Sequence, residues 1–201
     1  MIIHKDFIWM HFPRCAGTFT EQLLHKYYSA NSDIAFDEID PGNVIWHQSV
    51  VERENNLGVK LSGRDIICNF RRLPYWIISR IRYEKKRAGI FYDKELYTRG
   101  IFNHRKGYQR TADMVLSKYL LQEVHSWIRV EYLEIDFMKV FSKYLDVQAK
   151  VQKSDFESFV NASGGKSNLD EWFTPEDLNR IYNACPLWAK TENEVYGNIL
   201  I

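Results

Sequence analysis

The chain has 201 residues, of which 45% are hydrophobic, 15% aromatic and 26% charged, enough apolar material for one packed domain and too much for a disordered one. Its 27 Lys and Arg balance 26 Asp and Glu to a formal charge of +1, which excludes a surface devoted to nucleic acid or an acidic membrane. Cys15, Cys68 and Cys185 are few, odd in number and far apart, which argues against a disulfide scaffold or zinc pairing and fits a reducing compartment. No run approaches the ~18 apolar residues of a membrane span, and the start "MIIHKDFIWMHF" lacks the order of a signal peptide. A cytoplasmic protein is expected, with no nucleic-acid or membrane partner.

Phe7–Phe12 is short, bulky and apolar and reads as a buried strand feeding a loop. From Thr18, the residues Phe19, Leu23, Leu24 and Tyr27 recur at helical spacing, and Thr18 with Glu21 reads as a capping box. "GNVIWHQSV" predicts a second strand ending near His47, and "GRDIICNFRR" a third, buried on both faces as in a parallel sheet. Pro74 suits the first turn of a helix running through Arg80 to about Lys86.

"AGIFYDKELYTRGIFNHRKGYQR", Ala88 to Arg110, has no clean period and is rich in aromatic and basic residues, the marks of a variable insertion. A long helix is expected from Thr111 to about Trp127, a fourth strand in "WIRVEYL" and a helix in "DFMKVFSKYL". Ser154 and Glu157 read as the cap of a short helix, and Thr174-Pro175-Glu176-Asp177 as the opening of the last one. Alternating strands and helices predict a single α/β domain over 1–201, three-layered α/β/α with a mostly parallel central sheet.

The loop between the first strand and helix would aim backbone N–H groups at whatever sits on the helix N-terminus, where the macrodipole favours negative charge. Ala16 and Gly17 are small enough for close approach, Arg14 supplies a permanent forked cation, and Thr18 and Thr20 supply hydroxyls. Anion binding is the expected chemistry, with a plain turn as the competing reading. A Walker A loop is excluded because Gly17 is followed by Thr18-Phe19 and not by Lys-Ser/Thr. Cys15 has no arginine placed after it to close a phosphatase cradle, so it reads as a small loop residue.

Phe12-Pro13-Arg14-Cys15-Ala16-Gly17-Thr18 resembles the 5′-phosphosulfate loop of sulfotransferases that use 3′-phosphoadenosine 5′-phosphosulfate (PAPS), where Pro-Lys-x-Ala-Gly-Thr-Ser is one common form. The family pairs that loop with an arginine at the end of a later strand and a serine eight residues on, which hold the 3′-phosphate. Arg71 and Ser79 have that spacing, with Arg72 as the alternative in register. "IRVEYLEIDF" is similar to the family's strand-and-acid element, where Glu131 would brace the loop. "VNASGGKSNLDEWFTPEDL" resembles its flexible basic loop, where Lys166 would close over the phosphates.

The resemblance implies a P-loop-like fold and transfer of a sulfuryl group from PAPS, a co-substrate that leaves as adenosine 3′,5′-bisphosphate. The acceptor would be a hydroxyl or amine of a small molecule or carbohydrate, seated beside the 88–110 insertion, and no metal is demanded. The nucleotide would be held by Arg14, Cys15, Ala16, Gly17, Thr18, Phe19, Arg71, Ser79 and Lys166. His47 falls where many members place a catalytic base, with Glu52 and Glu54 in reserve, while Arg14 would stabilise charge on the bridging oxygen. Arginine there is a departure, because lysine is usual and arginine is a very poor proton donor at neutral pH. The rival expectations are a non-catalytic nucleotide- or anion-binding protein on the same fold and a P-loop nucleotide kinase.

Overall fold

The computed structural model describes residues 1–37, 45–58, 60–61, 63–89, 93–103, 109–162 and 168–201. In chain order its strands are β1 (Ile2–His4), β2 (Phe7–Met10), β3 (Ile34–Phe36), β4 (Asp65–Phe70), β5 (Ile101–Asn103), β6 (Gln109–Thr111) and β7 (Ser126–Arg129). Its α-helices are α1 (Gly17–Tyr28), α2 (Val50–Leu57), α3 (Leu73–Ala88), α4 (Lys94–Tyr97), α5 (Ala112–Tyr119), α6 (Leu133–Phe141), α7 (Val147–Lys150), α8 (Lys153–Ala162), α9 (Pro175–Ala184) and α10 (Pro186–Tyr196). The chain forms two compact units, Met1–Phe70 with Leu120–Lys166, and Arg71–Tyr119 with Ser167–Ile201. No described helix is long and apolar enough to cross a membrane.

The first unit is built on a five-stranded sheet in the order β3-β1-β2-β4-β7. β2 pairs with β4, and β4 with β7, in parallel, whereas β1 pairs antiparallel with both β2 and β3. The sheet is therefore mixed, not mostly parallel. Lys5-Asp6 alone separates β1 from β2, and a parallel partner needs a crossover of about a dozen residues or more, so the only partnership open to so short a link is a hairpin.

β2 and all but the first residue of β4 are buried, as their continuous apolar runs require. Ile2, Phe7, Trp9, Ile67 and Ile128 form one sheet face of the core, packed with Leu23 and Leu24 of α1 and Phe137 and Phe141 of α6. One polar thread crosses this core: Trp9 Nε1 donates to Asn69 Oδ1 at 2.9 Å, and Asn69 Nδ2 donates to Thr20 Oγ1 at 2.8 Å. Each buried polar atom in the thread is thereby paired, and the thread fixes α1 against β2 and β4.

At the hairpin, His4 is 2% exposed, stacks on Phe7 with ring centroids 4.7 Å apart, and accepts the Asp6 N–H at Nδ1. Burial holds its imidazole below the ordinary value, with Asp6 opposing. The unfolded chain then takes up the proton first as pH falls, so stability drops as pH goes below about 6.5. His4→Phe keeps the stacking ring and is expected to flatten this pH dependence, read from urea midpoints at pH 7.5 and 5.5. An unchanged slope would refute the assignment.

Several predicted elements shift. Of "GNVIWHQSV", 42–44 lie outside the described residues, and Ile45–His47 forms a 3-10 turn where the strand was expected. Ser49 and Glu52 make a full capping box that starts α2 at Val50, which leaves no extended segment beyond His47. The helix expected over Thr111–Trp127 stops at Tyr119, and Trp127 is taken by β7, where it pairs with Cys68. Ser154 is not a cap, because α8 begins at Lys153 and Asp155 accepts the Gln152 N–H.

In the second unit, α3 carries Pro74 in its first turn and runs to Ala88. The Thr174–Asp177 capping box opens α9 as predicted, but α10 follows it. Asp113 of α5 caps α10 from a distance, accepting the Leu187 and Trp188 N–H groups at 2.9 Å each, and Trp76 packs on Trp188. The 88–110 insertion contains α4 and the β5–β6 hairpin; 90–92 and 104–108 lie outside the described residues.

Candidate functional site

The β2–α1 connection takes the form that the sequence predicts, and its backbone is unusual. Arg14 and Ala16 both have positive φ, 66° and 59°, a left-handed conformation that costs a non-glycine residue about 1–2 kcal/mol. Ala16 is the N-cap of α1 and makes no side-chain cap bond, and the first turn holds no acidic residue. The expected Thr18–Glu21 box is not formed, because Ala16 is the N-cap and the helix starts two residues earlier than that box requires, at Gly17. Thr18 is exposed, and Glu21 is buried with its carboxylate 3.5 Å from His11 Nδ1. The leading N–H groups of α1 have no intrahelical acceptor, and the N-cap residue Ala16 has no side-chain oxygen to offer them.

Two neighbours fix the loop's position. Cys15 is buried, so it packs the loop onto the core, as its reading as a small loop residue anticipates. Gly17 sits against His11 so closely that a Cβ would lie 2.0 Å from His11 Cδ2. Gly17 is therefore required for space and not for φ. Gly17→Ala should cost about 3 kcal/mol, the upper end of ordinary overpacking, and His11→Ala in the same chain should recover most of it. Chemical denaturation of the single and double variants checks this; equal stability of Gly17→Ala and wild type would contradict the packing.

His47 reaches the same place from the 3-10 turn. Its Nδ1 lies 3.1 Å from the His11 carbonyl oxygen, and the two imidazoles meet edge-on with centroids 4.8 Å apart. A carbonyl only accepts, so His47 Nδ1 carries the proton, and in the neutral ring the lone pair is on Nε2. His47, His11 and Gly17 thus form one contiguous group, with the His47 imidazole one residue removed from the β2–α1 loop. His11 is buried between Gly17, Glu21 and His47 and is a packed residue.

The reserve carboxylates are otherwise employed. Glu52 Oε2 accepts the Ser49 N–H at 2.7 Å in the capping box, and Glu54 Oε1 accepts the Leu61 N–H at 2.7 Å. Glu131 is half-buried in the 3-10 turn after β7. In the same segment Asp136 grips Arg129 through Nε and Nη2 at 2.7 and 2.8 Å.

In the second unit the two arginines after β4 separate. Arg72 is buried: its Nη1 donates to Glu192 Oε1 and to the Asn198 carbonyl at 3.1 Å each, and its Nη2 donates to Asn198 Oδ1 at 2.8 Å. It also stacks on Tyr196. Its fork is committed to the unit's own core, which removes it as the alternative phosphate ligand. Arg71 is half-buried, and its backbone carbonyl accepts Trp188 Nε1–H at 3.1 Å. Ser79 lies in α3, half-buried. Lys166 lies outside the described residues.

The capping box before α2 and the His11–Gly17 contact were not anticipated. Ser49-x-x-Glu52 is legible in the sequence, whereas the His11–Gly17 contact joins a strand end to a helix start through space and leaves no local pattern. No protein-family model, curated protein or solved structure matches the chain.

Proposed function

We propose that the chain is a PAPS-dependent sulfotransferase, built on an α/β fold in which the β2–α1 loop receives the 5′-phosphosulfate. The observation that supports this most is the placement of His47. A helix N-terminus entered through left-handed Arg14 and Ala16, with no acidic residue in its first turn, suits an anion, and His47 stands next to it with Nδ1 tied to the His11 carbonyl.

In this reading the backbone N–H groups of Gly17, Thr18 and Phe19 receive the sulfated end of PAPS. His47 Nε2 takes the acceptor hydroxyl proton as the acceptor oxygen attacks sulfur and the S–O bond to the bridging oxygen breaks. The electron pair stays on that oxygen, where the Arg14 guanidinium offsets the developing charge without donating a proton. Arg71, Ser79 and Lys166 keep the phosphate-binding roles implied by the resemblance, and the insertion supplies acceptor contacts. The chemistry demands no metal.

A second reading has a specific observation in its favour: arginine stands where the family's proton-donating lysine is usual, which suits a nucleotide- or anion-binding protein without turnover. Incubation with sulfur-labelled PAPS and a panel of phenols, sugars and amines separates the two. Labelled product from any acceptor supports the enzyme, while saturable adenosine 3′,5′-bisphosphate binding with no product across the panel favours the binding protein. Thermal stabilisation by ATP with Mg²⁺ but not by adenosine 3′,5′-bisphosphate would overturn both and favour a nucleotide kinase.

A further inference from the structure

The first unit holds a cavity of about 370 Å³ at the amino end of β4, within the size range of small-ligand pockets. The β2–α1 loop follows the carboxyl end of β2, which runs parallel to β4, so this cavity lies at the opposite end of these strands from the loop. Val50, Leu61 and Ile66 line it with buried apolar side chains, beside Asp65, whose carboxylate accepts the Tyr144 hydroxyl, and Arg64, Gln122, Glu123 and His125 bring further polar groups to it.

Each of these further polar groups has a definable vacancy in its bonding. Arg64 Nε donates to the His4 carbonyl at 3.0 Å, which orients the guanidinium and leaves its Nη nitrogens with no protein acceptor among the described residues. His125 is pinned to the strand edge: its backbone N–H donates to the Ile66 carbonyl at 2.8 Å, and its Nδ1 accepts the Ile66 N–H at 3.0 Å. Because Nδ1 accepts, the ring proton is on Nε2, which is a donor. Gln122 Oε1 is buried with no partner among the described residues, a state that costs about 1–3 kcal/mol until a donor reaches it. Glu123 adds an exposed carboxylate.

The geometry points to a second ligand site here, for a small aliphatic zwitterion of the α-amino-acid type. The ligand's carboxylate is taken by Arg64 and His125 Nε2–H. Its ammonium is taken by Gln122 Oε1 and Glu123, and its side chain lies on Val50, Leu61 and Ile66. An anion alone leaves Gln122 and Glu123 unanswered, and an amine alone leaves Arg64 and His125 unanswered. The site does not depend on the sulfotransferase reading, since none of these residues belongs to the loop or to the His47 group.

The test titrates L-leucine, 3-methylbutylamine and 4-methylpentanoate into the full chain and follows amide resonances by NMR. L-Leucine should shift the amides of Arg64, Ile66, Gln122 and His125 saturably, and each half-ligand should bind about tenfold or more weakly, the loss of one charge-assisted contact. Arg64→Lys should weaken leucine binding about tenfold, since an ammonium loses the fork. Gln122→Leu should weaken it too while raising Tm by about 2–4 °C, by removing the unpaired oxygen; that opposite movement of binding and stability is not expected of a purely structural glutamine. No shift at leucine concentrations up to about 10 mM, binding of the amine or the acid as tight as leucine, or leucine binding indifferent to both variants would overturn the proposal.

Discussion

His47→Ala should lower kcat by about 10²–10⁴-fold, the usual range for removing a positioned general base, while leaving the affinity for adenosine 3′,5′-bisphosphate unchanged. The split follows from geometry. His47 touches the His11 carbonyl and the edge of the His11 ring, so its removal takes a base from beside the loop without taking any of the loop's N–H groups. His47→Gln sharpens the result, because its amide can still donate to the His11 carbonyl but offers no comparable base. If the role of His47 were only to hold the turn, glutamine would rescue activity. If it is the base, both variants are inactive and both bind the nucleotide. Steady-state kinetics with labelled PAPS, alongside calorimetric titration of the product nucleotide, reads the two quantities separately. Turnover within threefold of wild type in either variant would remove His47 from the mechanism.

The second large effect concerns stability. Arg72→Ala should destabilise the second unit by about 3–5 kcal/mol, the cost of leaving one member of a buried ion pair alone. The stranded group is Glu192, fully buried, whose carboxylate also accepts the Leu73 N–H at 2.7 Å and the Tyr182 hydroxyl at 2.8 Å. Burial pushes the Glu192 carboxyl up from its ordinary range, with the Leu73 N–H, Tyr182 and Arg72 pulling it down. Without Arg72 it rises further. A carboxyl raised above its unfolded value makes the folded state bind the extra proton, so stability falls as pH rises through that value. The Arg72→Ala penalty should therefore be smaller at pH 5 than at pH 8.

Arg71→Ala makes the complementary test. Its backbone carbonyl accepts Trp188 Nε1–H, and that bond survives the substitution. The fold should stand, while the affinity for adenosine 3′,5′-bisphosphate should drop by about tenfold or more through loss of a charge-assisted contact to phosphate. Denaturation and nucleotide titration of both variants distinguish the two arginines. A stable Arg72→Ala chain, or an Arg71→Ala chain that binds as well as wild type, would reverse the assignment.

What could be read from the sequence and what could not divide along a physical line. Phe7–Met10, Asp65–Phe70 and the Pro74 helix announce themselves through continuous apolar runs and a proline in the first turn, all local signals. The Thr174–Asp177 box is local as well and was legible. The β1–β2 hairpin was hidden because His4, Lys5 and Asp6 read as interruptions in an apolar patch, when they are the strand end and turn of the hairpin. The start of α10 was missed for a different reason: Pro186 marks its first turn, but its cap is Asp113, more than seventy residues earlier in the chain.

The candidate site shows the same division. Arg14 to Phe19 could be found from a strand, a small-residue turn and a helix in sequence, and Arg71 with Ser79 from their spacing. That Arg72 belongs to Glu192 and Asn198 is a fact of tertiary packing, as is the pressing of His11 on Gly17. The sequence pattern around His47 is that of a strand end, and the residue sits in a 3-10 turn. The residue still stands beside the loop because Ser49 and Glu52 start α2 just after it and the His11 carbonyl holds its ring.

The β2–α1 loop is proposed as the receptor for the sulfated end of a nucleotide. Backbone amide resonances followed during titration with adenosine 3′,5′-bisphosphate and, separately, with PAPS test it most directly. Both ligands should bind saturably, and PAPS should add large shifts at Ala16, Gly17, Thr18 and Phe19 that shrink in Arg14→Ala. Saturable binding of PAPS that leaves those four amides unmoved would contradict it.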